Sequence, residues 1–224
     1  MVKPYFDADA LIAQFESATA QQGEQLRKAV GEATLQALQA RELTLANIRS
    51  TLKSVTDAAG AGAARNAAGV DVGDLLDKAV AGMDDALLKA VDANRLALGK
   101  LVAQGADLRD KHLKKALSDL EKFEDTLMAT VRKASEGAGA QMAATWGQVL
   151  EKMQAGGTLS GSKASATAEQ LMNDMQAAVR SSRAAGLRAA QAMAESYSAM
   201  VSGVLIGMSE ALQQGTAKGG KTRK

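Results

Sequence analysis

Few side chains in this sequence are grouped in a way that could do chemistry. There is one histidine, His112, and no cysteine. His112 stands beside Lys111, Lys114 and Lys115, the setting of a solvated, charged helix face. Hydrolytic chemistry needs a nucleophile, a base and an acid that orients it, and no such set is spaced around His112. The absence of cysteine excludes disulfides and thiolate metal sites. No Glu-x-x-His pair exists to build a two-metal centre inside a helical bundle. The neighbouring acids Asp71 and Asp74, and Asp84 and Asp85, read as helix-starting or solvent-facing carboxylates. Glycine-rich stretches lack the Gly-Lys-Ser/Thr ending of a phosphate loop and the strand that precedes one. Lys218, Lys221, Arg223 and Lys224 form a basic tail among glycines. That tail can make a weak nucleic-acid contact through phosphates, but aromatic residues for base stacking are missing. The expectation is a protein that is not an enzyme and needs no cofactor or metal.

The elements that carry these residues are helices. Alanine dominates the composition, aromatic residues make up 3%, and Pro4 is the sole proline. Alanine loses no side-chain entropy in a helix, and proline is the main helix breaker. Small side chains also bury little area, so thin helix–helix seams are expected in place of a thick core. The fold class expected is all-α, with long amphipathic helices in an antiparallel hairpin or bundle of coiled-coil character.

Net charge is +2, close to balance. From Gly156 onward there are eight Lys/Arg against four Asp/Glu, so the positive excess lies at that end. Asp7, Asp9 and Glu16 interrupt any apolar signal core. The longest uncharged apolar-leaning run, Ser196 to Ser209, has 14 residues, short of the ~20 that span a membrane. A cytoplasmic chain without a transmembrane segment is expected.

Apolar residues at steps of four and three mark the helices. Leu11, Phe15, Ala18, Gln22, Leu26 and Val30 begin one such stripe, which continues through Leu38, Leu45 and Leu52. It predicts a single first helix from about Asp7 to the Ala-Gly stretch at 58–69, with Gly23 a soft spot. A second helix carries Leu76, Val80, Met83, Leu87, Ala90, Asn94, Ala97 and Leu101 in unbroken coiled-coil spacing. Asn94 either fixes register there or is a tolerated polar residue. The stripe slips near Gly105, so 71–133 is one helix with a bend, or two. Residues 135–140 read as a turn and 140–154 as a short helix carrying Trp146, which serves either as a packing anchor or as an interfacial contact.

Residues 1–155 thus form a long-helix hairpin or coiled-coil region. Residues 156–167, rich in Gly and Ser, read as a linker. Thr167 and Gln170 make a capping box for an amphipathic, methionine-rich helix over 168–213, with Met172 on its apolar stripe. Residues 214–224 form a basic, disordered tail. Methionine packs adaptably, so the last helix is expected to contact a hydrophobic body as well as partner helices. The surface-contact residues expected are Trp146, Met193, Tyr197, Met200, Val204, Leu205 and Met208. The assembly seam expected is Leu76, Val80, Met83, Leu87, Asn94 and Leu101, joining copies into a homo-oligomer.

The segments LQALQARELTLA (35–46) and RAAQAMAESYSAMVSGVLIGMSEAL (188–212), with the scarcity of Pro, Cys and aromatics, resemble bacterial phasins. The likeness is one of composition and helix texture over most of the chain, without a diagnostic motif. It implies coating of polyhydroxyalkanoate storage granules, a hydrophobic polymer or lipid-like surface, and self-association through coiled coils. The regular helix from Asp71 to Lys133 departs from that texture. Two other classes remain open: a structural coiled-coil scaffold or filament-forming protein, and a nucleoid or DNA-tethering protein acting through the basic tail.

Overall fold

A computed structural model of the chain describes residues 6–40, 43–66, 70–103 and 111–181, together with Val201, Val204 and Leu205. All regular structure among the described residues is helical. In chain order the helices are α1 (Ala8–Ser17), α2 (Gly23–Gln39), α3 (Leu45–Ala64), α4 (Val72–Ala103), α5 (Lys111–Glu121), α6 (Phe123–Gly137), α7 (Ala140–Gly156) and α8 (Leu159–Ser181). A 3-10 turn, Ala20–Gln22, precedes α2. The chain is an all-α bundle.

The single first helix expected from the stripe is three helices. Asp7 caps α1 by accepting the N–H of Ala10 at 2.9 Å. Ala18 and Thr19 then turn extended, and the Thr19 N–H and hydroxyl both donate to Gln22 Oε1 at 3.0 Å. Gly23, the expected soft spot, begins α2. Thr44 caps α3 by accepting the N–H of Asn47, and α3 runs through the Ala-Gly stretch to Ala64. The Asn66 side chain donates to the carbonyls of Phe15 and Ala18, tying the end of α3 to the end of α1. Gln22, assigned to the apolar stripe, is exposed because it lies in the turn.

Helix α4 is the centre of the bundle and packs against α2, α3, α7 and α8. Every residue of its expected seam is buried, from Leu76 to Leu101. Leu75, Ala79, Ala86, Val91, Ala93 and Leu98 are buried as well. Adjacent pairs such as Leu75–Leu76 and Ala90–Val91 cannot share one narrow seam, so α4 is covered on several sides. The chain's own helices fill the positions expected to join copies. Asn94 donates to the carbonyl of Ala90 at 2.9 Å, one turn back on its own helix.

Glu24 meets Lys78, and Gly31 lies against Gly82, so α2 and α4 run side by side in the same direction. A Cβ on Gly82 would collide with the Arg27 carbonyl and come within 2.9 Å of Val30 Cβ. Glycine is what lets the two backbones approach there. α5 and α6 are separate helices, and the bend expected near Gly105 lies outside the described residues. α7 covers the short helix expected at 140–154.

Candidate functional site

The segment read as a linker is where the structure builds its most specific polar arrangement. α7 ends at Gly157, whose φ of 67° is the left-handed turn that glycine favours. α8 begins two residues later, at Leu159. Its first amides would be orphan donors, and carboxylates from two other helices take them up. Asp84 on α4 accepts the N–H of Leu159 at 2.7 Å and of Ser160 at 3.0 Å. Glu124 on α6 accepts the N–H and the hydroxyl of Thr158, both at 2.9 Å. The Thr158 hydroxyl oxygen in turn accepts the N–H of Gly161 at 3.0 Å. Negative charge at a helix N-terminus is also favoured by the helix dipole. A Cβ on Gly161 would overlap the Glu124 carboxylate.

Asp84 and Asp85 therefore lie within α4 rather than at its start, and each carboxylate has a partner on another helix. Asp84 is buried. Asp85 takes a two-pronged pair from Arg27, at 2.7 and 2.8 Å. That hydrogen bond raises the pKa of the Arg27 guanidinium, against the smaller opposing effect of burial. On the same side of the bundle, Lys78 holds the Glu24 carboxyl below its ordinary pKa through a hydrogen bond and its charge.

Below this anchored start, α8 presents a small face to the bundle. Its buried residues between Leu159 and Asn173 are Ser160, Gly161, Ala164, Thr167, Ala168 and Leu171, which recur every three to four residues. Leu171 is the only large one in that stretch. Burying a leucine is worth about 1.5–3 kcal/mol and an alanine much less, so the stretch from Leu159 to Asn173 is held lightly by apolar contact. Thr167, expected to cap the last helix, lies inside α8 and is buried. Met172, expected on the apolar stripe, is 47% exposed, and Leu159 is 58% exposed.

A second thin seam lies further along. Leu35, Ala86, Ala93 and Ala97 form a cluster with Val201 and Leu205, and Val204 packs half-buried against it. The Gln39 side-chain amide donates to the Leu205 carbonyl at 3.0 Å. Leu205, expected as a surface-contact residue, is buried here because α2 and α4 offer it a groove of alanines. Trp146 is likewise buried, 2% exposed, inside the main core with Val149 and Met153. It is a packing anchor rather than an exposed contact. Met193, Tyr197, Met200, Met208 and the tail cations Lys218, Lys221, Arg223 and Lys224 lie outside the described residues.

Residues 1–214 match a family of unknown function, DUF6781. The chain belongs to that family. No curated protein and no solved structure matches it. In this DUF6781 member, no group of three or more His, Cys, Asp or Glu among the described residues is placed to hold a metal ion. No described helix is long and apolar enough to cross a membrane.

The acid anchor was missed by sequence reading, although part of its signal is local. Thr158-x-x-Gly161 follows a glycine pair and is a threonine N-cap in the right place. Asp84 and Glu124 carry no such signal, because their partners lie far away in the chain.

Proposed function

We propose that this protein is a non-enzymatic amphipathic coat that opens its bundle and lays its helices on a hydrophobic surface. The phasin-like texture makes polyhydroxyalkanoate granules the surface favoured. The observation that carries the reading is the small buried face of α8 between Leu159 and Asn173, five of whose six residues are Gly, Ser, Ala or Thr. A segment held by so little apolar area gives up little apolar contact on leaving the bundle. A hydrophobic surface can replace that contact and also take up Leu159 and Met172, which face outward when the bundle is closed. The seam of Val201 and Leu205 on alanines has the same character. The heptads from Leu76 to Leu101, which favoured a scaffold, are satisfied inside one chain and add no weight to that alternative.

Co-sedimentation with polyhydroxybutyrate particles, with phospholipid vesicles in parallel, tests the reading. Met172→Asp places a charge on an exposed position of α8 and leaves the closed bundle intact. Binding by the parent that falls several-fold in Met172→Asp supports the coat. Failure of the parent to bind either surface sinks it.

A further inference from the structure

On the face of the bundle lined by α3, α6 and α7, a half-open groove of about 520 Å³ stands apart from the α8 anchor. That volume lies within the ~300–1,000 Å³ of small-molecule sites. Its floor is Trp146 and its walls include Gly60, Ala134 and Met142. Three charges stand at the groove, Lys53, Asp57 and Lys133. Asp57 is taken by Lys53 in a pair one turn apart on α3. Lys133 is exposed and has no carboxylate partner among the described residues. The groove thus presents an apolar floor with one uncommitted cation beside it.

The indole edge adds a directional group. A Cβ on Gly60 would lie 3.6 Å from Trp146 Nε1, so that nitrogen faces the glycine wall of the groove. No acceptor for it is found among the described residues, and it is not one of the fully buried polar atoms left without a partner, so it reaches the open side of the groove. Gly60 keeps the space in front of it open.

We propose that this groove binds a medium-length aliphatic carboxylate, with its chain against Met142, Ala134 and Trp146 and its head between Lys133 and the indole N–H. An uncharged chain of the same length fits the floor but leaves both polar groups unused. A cationic head in place of the carboxylate would meet Lys53 and Lys133 unfavourably. The site belongs to the closed bundle and does not depend on the coat reading, so it is tested with no particle or vesicle present.

Trp146 is the only tryptophan, so its fluorescence reads the groove directly. The full chain is titrated with decanoate below its micelle concentration, and with decanol in parallel. The expected result is a saturable change with decanoate that is about tenfold weaker with decanol, the worth of one charge-assisted contact. Lys133→Gln should weaken decanoate by a similar factor and leave decanol unchanged. Gly60→Leu, which fills the groove, should abolish the change with far-UV dichroism preserved. If Gly60→Leu does not fold, Ala134→Leu fills the groove from α6 and is read the same way. No saturable change in the parent, equal affinity for the acid and the alcohol, or an unaltered response in a folded groove-filled variant would each overturn the proposal.

Discussion

Asp84 accepts the backbone N–H of Leu159, 75 positions later in the chain, at 2.7 Å. A side chain in the middle of one helix thereby fixes where another begins. The same carboxylate takes the N–H of Ser160, and Glu124 takes Thr158, so three helices meet at one turn. The small side chains buried between Leu159 and Asn173 give this polar anchor an unusual share of that segment's attachment.

Removing the anchor should release α8 before the rest of the bundle. Asp84→Ala leaves one buried and one part-buried amide without acceptors and should cost about 2–3 kcal/mol in chemical denaturation. Asp84→Asn keeps an acceptor oxygen and should cost clearly less. In hydrogen exchange, the amides of 159–171 should lose protection in Asp84→Ala while those of α3 keep theirs. Uniform loss across the bundle would show that α8 is not separately held.

Two glycines in α4 should respond in opposite directions to the same change. Gly99 has open space where a Cβ would go, so Gly99→Ala should stabilise by about 0.5–1 kcal/mol through helix propensity. Gly82 has the Arg27 carbonyl and Val30 there. Gly82→Ala should therefore destabilise by about 1–3 kcal/mol, the cost of overpacking. Thermal melts of the two variants beside the parent decide this, and equal shifts would mean that α2 and α4 are not in close contact.

These contrasts mark what the residues announce and what they conceal. Helical class was legible because alanine abundance and 3.6-residue spacing both point to it, and Leu76 to Leu101 are buried as that spacing requires. The breaks at Thr19 and Thr44 were obscured because apolar residues keep nearly the same rhythm across both turns. Each carries a threonine cap signal that the unbroken stripe outweighed. The same signal misled at Thr167, where the residues from 156 on looked like linker because they are Gly, Ser and Thr. Those small residues are instead what packs α8 closely on α4. Asp84 and Glu124 were illegible for a different reason. Their roles exist only once distant parts of the chain are brought together.

Acid should reveal the Glu24–Lys78 pair. The hydrogen bond and charge of Lys78 hold Glu24 below its ordinary pKa of 4.5. A carboxylate depressed in the folded state stabilises at pH above its unfolded value, and that contribution fades as pH falls through the folded one. Glu24 is exposed, so the effect is small. The parent should be slightly more stable than Glu24→Gln near neutrality, and the two should converge below pH 4.5. A difference that does not change with pH would remove Lys78 as the cause.

Trp146 gives the sharpest separation between an anchor in the core and a contact on the surface. Its indole is buried with Val149, Met153, Phe123 and Leu127 in one cluster. Truncation to alanine removes that volume from between α3, α6 and α7 and leaves a cavity that neighbouring helices fill only in part. Trp146→Ala should cost about 3–5 kcal/mol, as large-to-small changes in cores do. An interfacial tryptophan would instead cost little stability and weaken particle binding. In the free parent protein its emission should be blue-shifted and weakly quenched by iodide, then move red on unfolding. If Trp146→Ala melts with the parent while particle binding falls, the residue serves a surface and the packing around α7 must be loose.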